Sequence, residues 1–362
     1  MLIPTYHPVF GGAQSQLKLL SGLIIEDGRE VEIVTRRHVP VHKNLLSNEI
    51  VNNVRVSRVF SRGLWKFGAI NFIFFSLIHI LKTSKKNQNY HVHSTGSALL
   101  IAFIANIIRP GKIVLKFRSG ADTYQEEKSI FDKFINILIK KVHTLLVLND
   151  ETSDLLTKKF SKSNVVKFNN SVDTDIFKPL KNYLQTKIEY KNSNIIYTGR
   201  LEESKGVLLL CNAFERLHAK HKDISLELIG SGSLEGYVLD LSKKLNNSIK
   251  VSTSTNIVKS YQNADIFVLA SFSEGMSNSL LEAMACGLIV VSSNVGAAPE
   301  IINHGDNGFL FENKHLENLV ETIESVLMEN YDTKKIREQS VKTMLTFFSN
   351  KYLITNINKI YI

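Results

Sequence analysis

Two glutamates with seven residues between them carry the densest chemistry in this sequence. Glu274 lies in the loop Ser273-Glu-Gly275-Met276-Ser277-Asn278, and Glu282 lies in the apolar run Leu280–Ala285. Ser277 suits a helix N-cap and Gly287 a helix end, which puts Glu274 just before a short helix and Glu282 within it. Two carboxylates so placed can accept hydrogen bonds from two hydroxyl-bearing parts of one ligand, while the amides of Gly275, Met276, Ser277 and Asn278 reach a phosphate at the helix N-terminus. Glu282 sits among apolar neighbours, a setting that disfavours a carboxylate without a partner. Upstream, Tyr197-Thr-Gly199-Arg200-Leu-Glu-Glu-Ser-Lys205-Gly206 places two cations at the opening of a helix. Arg, Lys and free backbone amides together suit a diphosphate, although solvated loop charges would give the same pattern. Leu228-Ile-Gly230-Ser-Gly232 lets the backbone approach a flat ligand, or simply makes a tight turn. A third glycine at dinucleotide-fingerprint spacing is absent, because Ser233-Leu-Glu235 stands there.

These segments need elements that hold them. Short β-rich runs alternate with amphipathic helices, the signature of α/β folds with parallel sheets. In the first half strands are predicted at Glu32–Thr35, Val54–Phe60, His91–Ser94, Ile113–Phe117, Thr144–Leu148 and Val165–Phe168. A helix is predicted over Ala13–Ile25, ended by Gly28. No full strand precedes it, since the chain opens at Met-Leu-Ile-Pro. In the second half strands are predicted at Asn194–Thr198, Ser225–Ile229, Ile249–Ser252, Ile266–Leu269, Leu288–Ser292 and Gly308–Phe311, and two helices from Lys334 onward. The fold class expected is α/β, two Rossmann-like doubly wound domains facing across a cleft. The domains run 1–175 and 176–345, and residues 346–362 form a helix returning to the first. In such sheets ligands bind at the strands' carboxyl ends, where each motif falls.

Length and charge narrow the field. At 362 residues the chain suits two domains better than one core. Its longest apolar run, Ala69–Leu81, is too short to span a bilayer and contains Asn71 and His79. No secretory signal is read at the N-terminus. Cys211 and Cys286 read as core residues of a reducing compartment, hence a cytoplasmic expectation. The net charge of +10 is unevenly spread: residues 1–180 hold 25 Lys and Arg against 14 Asp and Glu, a surplus of eleven, and the remainder holds 19 against 20. An anionic partner of the first half is implied.

The Glu274–Glu282 segment resembles the Glu-x7-Glu motif of retaining glycosyltransferases of the GT-B fold, family 4. Around it, in order, stand Pro8-Val-Phe-Gly11-Gly12-Ala13, Asn170-Ser-Val-Asp173, Phe177-Lys-Pro179, the Gly199–Gly206 stretch, Asn294-Val-Gly296-Ala-Ala-Pro-Glu300 and Asn307-Gly308-Phe. The resemblance implies that Arg200 and Lys205 neutralise the diphosphate of a nucleotide-sugar donor, commonly a UDP-sugar, and that Glu282 binds its ribose. It implies that Glu274 holds hydroxyls of the transferred sugar, that Gly12 lets a loop close over the phosphate, and that the departing diphosphate helps deprotonate the acceptor. No cofactor or metal is implied. The family often has a catalytic histidine in the first domain; here Leu115-Lys-Phe-Arg118 carries arginine, and His93 is the other candidate. His91 with His93 makes only a weak H-x-H metal pair.

The acceptor expected is a glycan or a lipid-linked molecule of surface-polysaccharide assembly. A sugar-nucleotide epimerase on the same fold is the rival reaction; a phosphorylase-like enzyme would need a pyridoxal-phosphate lysine, of which there is no sign. A nucleic-acid binder would need aromatic platforms among its cations, and no such motif is present. Trp65-Lys-Phe67 and the apolar Phe72–Leu81, followed by Lys82, Lys85 and Lys86, suit a surface helix dipping into an anionic bilayer, and equally a core helix with a basic end.

Overall fold

The computed structural model describes residues 1–8, 11–37, 46–61, 66–85, 88–117, 130–160, 163–180, 192–253, 256–328 and 330–361. Arg118, Trp65 and Lys86 lie outside them. Two units are formed, Met1–Asn169 with Leu353–Ile362, and Asn170–Tyr352. The division falls at 169/170 and not at 175/176, because Asn170 and Val172 already belong to the second unit: Val172 bridges Ser349 in parallel.

Unit 1 has strands β1 (Glu32–Arg37), β2 (Asn48–Val51), β3 (Val54–Phe60), β4 (Tyr90–Val92), β5 (Ile113–Lys116), β6 (Thr144–Val147) and β7 (Asn164–Lys167). Its helices are α1 (Gly12–Glu26), α2 (Lys66–Thr83), α3 (Ser97–Ile108), α4 (Ile130–Ile139) and α5 (Asp150–Lys159). The strands run in the orders β1-β3-β2 and β4-β5-β6-β7. Leu2 joins these sheets by bridging Val34 of β1 and Val92 of β4, both in parallel. The first strand is therefore present as a single bridging residue, its amide donating to the His91 carbonyl at 2.7 Å. Strand β2 was not foreseen. It pairs antiparallel with β3 through a tight turn in which Asn52 and Asn53 take φ of 49° and 64°, left-handed values that asparagine tolerates and that suit a hairpin. Helix α1 buries Leu17, Leu20 and Ile24, and Gly28, φ 83°, follows its C-cap Asp27. Helices α2 to α5 share one core, and α1 shares another with Leu353, Ile357 and Ile360.

Unit 2 has strands β8 (Asn194–Thr198), β9 (Ser225–Ile229), β10 (Ile249–Ser252), β11 (Ile266–Leu269), β12 (Ile289–Ser293) and β13 (Phe309–Phe311). Its helices are α6 (Val207–Lys220), α7 (Glu235–Lys244), α8 (Ile257–Gln262), α9 (Asn278–Ala285), α10 (Ala298–Ile301), α11 (Leu316–Leu327) and α12 (Thr333–Phe347). The last helix of the chain, α13, spans Asn350–Tyr361. The six strands are parallel in the order β10-β9-β8-β11-β12-β13. That is the 3-2-1-4-5-6 order of a doubly wound nucleotide-binding sheet. The central strands β11 and β12 are buried along their whole length, as helices on both faces require. Cys211 and Cys286 are free and buried.

Candidate active site

The strand order of unit 2 reverses between β8 and β11, and at such a point the two following loops diverge and leave room for a ligand beyond the strands' carboxyl ends. The Arg200–Lys205 stretch leaves β8 there, and the Glu274 loop leaves β11.

From β8 the chain passes Gly199 and exposed Arg200 to the fully buried Leu201, which anchors the loop. The Leu201 amide donates to the Ser231 carbonyl, and its own carbonyl accepts from the Leu234 amide, both at 2.9 Å. A 3-10 turn, Glu203–Lys205, then leads to Gly206 at φ 69° and into α6. Gly206 cannot be replaced cheaply, because a Cβ there would lie 1.8 Å from the Ala270 carbonyl oxygen at the end of β11. This contact draws the two loops together. The Phe272 amide donates to the Ser204 carbonyl at 3.0 Å, and Lys205 Nζ meets Glu274 Oε1 at 2.6 Å, both side chains largely shielded. The two residues that the resemblance assigns to diphosphate and sugar are thus partners of each other.

The Glu274 loop is seated from three sides. Gly296, φ 56°, packs under it so closely that a Cβ would come within 2.1 Å of the Glu274 carbonyl oxygen. The Ala297 amide donates to the Gly275 carbonyl at 2.9 Å. Asn170 Nδ2 donates to the Met276 carbonyl at 3.3 Å and to Asn278 Oδ1 at 3.0 Å. The Ser277 hydroxyl accepts from the Leu280 amide and caps α9.

Glu282 projects from α9 and is half-buried. Tyr261, at the end of α8 and fully buried, donates its hydroxyl to Glu282 Oε2 at 3.2 Å and also lies 2.5 Å from Thr198 Oγ1, the last residue of β8. Burial outweighs the tyrosine hydrogen bond and pushes the Glu282 carboxyl up to about 7. Burial and the Glu282 charge push the Cys286 thiol up to about 12, and Tyr261 moves well above its ordinary range for the same two reasons. Glu282 is therefore an acid poised at neutrality between two groups that stay protonated.

Gly230 and Gly232 pack against the loop that leaves β8. A Cβ on Gly230 would stand 1.8 Å from the Gly199 carbonyl oxygen, and one on Gly232 would stand 2.4 Å from that of Leu201. The room they leave is filled by the β8 loop. Ser233 strengthens the same junction, its hydroxyl donating to Glu202 Oε2 at 2.7 Å. Asn307 is likewise internal, donating to the Ile301 carbonyl.

Of the unit 1 candidates, Gly12 opens α1 and His93 follows β4; Arg118 is outside the described residues. His93 is buried and stacks on His91 with ring centroids 4.6 Å apart and planes 13° apart. Parallel rings do not converge on a metal, and no group of three metal-ligating side chains occurs among the described residues. His91 Nδ1 contacts the Tyr361 hydroxyl, and burial beside Lys116 lowers the histidine's affinity for protons. Three residues that seat the unit 2 site were not singled out for it in the sequence: Thr198, Tyr261 and Asn170. Only Asn170 had a signal, as the head of the Asn-Ser-Val-Asp motif.

Residues 184–343 match the family described as glycosyl transferases group 1. An uncharacterized glycosyltransferase of Haemophilus influenzae is 30% identical over 187 residues, and the chain spans about half its length. The capsular polysaccharide biosynthesis glycosyltransferase CapM of Staphylococcus aureus is 25% identical over 308 residues, covering 79% of this chain and 80% of CapM. Among solved structures, Anabaena HepE in complex with UDP and glucose has a TM-score of 0.76 at 16% identity, covering 99% of this chain and 97% of HepE.

Proposed function

Since residues 184–343 match the glycosyl transferases group 1 and the chain has the GT-B fold, we propose that it moves a sugar, with retention, from a UDP-sugar to a hydroxyl of a glycan or lipid-linked acceptor in surface-polysaccharide assembly. One observation carries the reading. Lys205, Glu274 and Glu282 stand on the loops and helix that follow β8 and β11, the pair of strands between which the order reverses. The name of CapM and the UDP and glucose held by HepE favour this donor and this pathway.

In this mechanism Arg200 and Lys205 face the diphosphate. Charge accumulates on it as the bond to the anomeric carbon breaks, and preorganised cations act on that charge. The acceptor oxygen forms its bond to the anomeric carbon on the same face, and its proton passes to the departing diphosphate, so no protein base is used. Glu282 accepts the ribose hydroxyls and Glu274 those of the sugar, with Lys205 shared between Glu274 and the phosphate. The cations take the place of a divalent ion, and the reaction is placed on the cytoplasmic side of the membrane.

The test is a panel of nucleotide-sugars screened by thermal shift, followed by product analysis with a radiolabelled donor and a phosphorylated lipid-linked acceptor. A donor at 100 times its dissociation constant stabilises by ~2.7 kcal/mol. Stabilisation by a UDP-sugar together with label in the acceptor, its anomeric configuration kept, is the expected result. Interconversion of the donor with no label transferred would make the protein an epimerase.

A further inference from the structure

Among the described residues, unit 1 exposes an apolar face that its own core does not use. On α2, Phe72, Ser76 and Ile80 point into the core, so only part of the Phe72–Leu81 stretch is available to a partner. The exposed stripe is Phe67, Ile70 and Phe74, one helix face, with Phe67 73% exposed. Helix α4 repeats the arrangement: Ile135 and Ile139 are buried, while Ile130, Phe131, Phe134 and Ile137 are exposed, Ile130 at 87%. Helix α3 packs against both. Its sequence from Ser97 to Ile108 contains no charged residue, and it exposes Ile107 and Ile108 at its end. A helix that is apolar all round is expected to be covered on every side.

Charge says what covers it. Residues 66–141 contain twelve Lys and Arg against four Asp and Glu. Within the three helices the acidic residue is Asp132 alone. Lys82, Lys112, Lys140 and Lys141 are exposed at or just beyond the helices' C-terminal ends. Lys85, expected to join them, is held by Glu30 at 2.6 Å. A basic rim bordering an apolar layer complements a surface that is negative outside and hydrocarbon inside. We propose that the outer face of α2, α3 and α4 docks on an anionic lipid bilayer, the aromatic and isoleucine side chains entering the headgroup boundary and the lysines meeting lipid phosphates. The inference does not depend on the transfer reaction.

Co-sedimentation with vesicles tests it, using pure phosphatidylcholine and phosphatidylcholine mixed with phosphatidylglycerol, at low and high salt. Binding is expected on the anionic vesicles at low salt and should fall roughly tenfold at high salt, as screened charges require. The variant Ile130→Ser/Phe131→Ser/Phe134→Ser removes exposed groups only and should keep its melting temperature while losing the vesicles. Lys82→Glu/Lys140→Glu/Lys141→Glu should do the same. No binding to either vesicle, or undiminished binding by both variants, overturns the proposal. So does a concentration-dependent dimer in sedimentation velocity that the serine variant abolishes, since a second copy would then cover the face.

Discussion

Glu282→Gln tests the poised carboxyl directly. The side chain keeps its shape and its capacity to accept from Tyr261, but it no longer ionises. In the folded chain the Glu282 carboxyl is raised from 4.5 to about 7. At about 1.4 kcal/mol per pH unit, keeping the ionised form buried costs about 3 kcal/mol. The sign follows from the raised value. Below pH 4.5 the carboxyl is protonated in folded and unfolded chains alike, and its stabilising contribution is whole. That contribution drains away as pH rises toward 7 and stays lost above it. Unit 2 of the wild type should therefore lose about 3 kcal/mol across this window relative to Glu282→Gln. Tyr261 and Cys286, its titratable neighbours, hold their protons far above the window and add nothing to the slope.

Ligand binding should show the opposite trend. A ribose diol donates to a carboxylate, so a nucleotide selects the ionised form, and binding below pH 7 must expel a proton. Wild-type affinity for UDP should then fall roughly tenfold per pH unit below 7, relative to the variant at the same pH. The comparison cancels the titration of the diphosphate itself. Calorimetry in two buffers of different ionisation enthalpy counts the released proton near pH 6. Equal pH slopes in both proteins, with no proton released, would refute the placement of Glu282 against the ribose.

Arg200→Ala or Lys205→Ala should cost roughly 3–4 kcal/mol in the transition state, 10²–10³ in turnover; near-normal rates in both would remove the diphosphate assignment. Glu274→Gln should remove the negative charge that Lys205 meets at 2.6 Å and leave a weaker amide acceptor, so UDP should bind at least as well while sugar recognition and turnover drop. Weaker UDP binding in that variant contradicts the assigned roles. Turnover is expected to survive EDTA; abolition with rescue by manganese would show that the cations do not suffice. Gly206→Ala should destabilise unit 2 by at least ~1–2 kcal/mol from the left-handed backbone alone, read as an earlier melt, with more lost to the clash at Ala270.

Much of the fold was visible in the sequence because parallel strands are buried on both faces. Ile266–Leu269 and Asn194–Thr198 are short apolar runs cut off by polar residues, and their limits came out as read. The misses share a cause, which is that they carry no periodicity. Leu2 is one bridging residue. Strand β2 is a half-polar edge, Asn48-Glu-Ile-Val51, signalled only by Asn52-Asn53 after it. The unit boundary moved because Asn170 and Val172 are held by distant partners, Met276 and Ser349, that no local pattern reveals.

The site divides in the same way. Residues that would touch a charged ligand are chemically conspicuous, and Arg200, Lys205, Glu274 and Glu282 announce themselves as cations and carboxylates beside glycines. Residues that act on other residues do not. Thr198 and Tyr261 look like the end of a strand and an aromatic in a helix, yet together they fix the carboxyl of Glu282 to the end of β8. The glycines of Gly230-Ser-Gly232 carry a packing role that the sequence does not reveal. Their missing side chains suggest room for a ligand, and the room is taken by the backbone of Gly199 and Leu201. That use still bears on function, because it fixes the β8 loop against the loop that follows β9. With Gly296 doing the same beneath Glu274, both loops are held rigidly, and binding energy need not be spent on ordering them. Under the proposed roles, a donor bound to unit 2 would separate Lys205 from Glu274 and take the proton from Glu282.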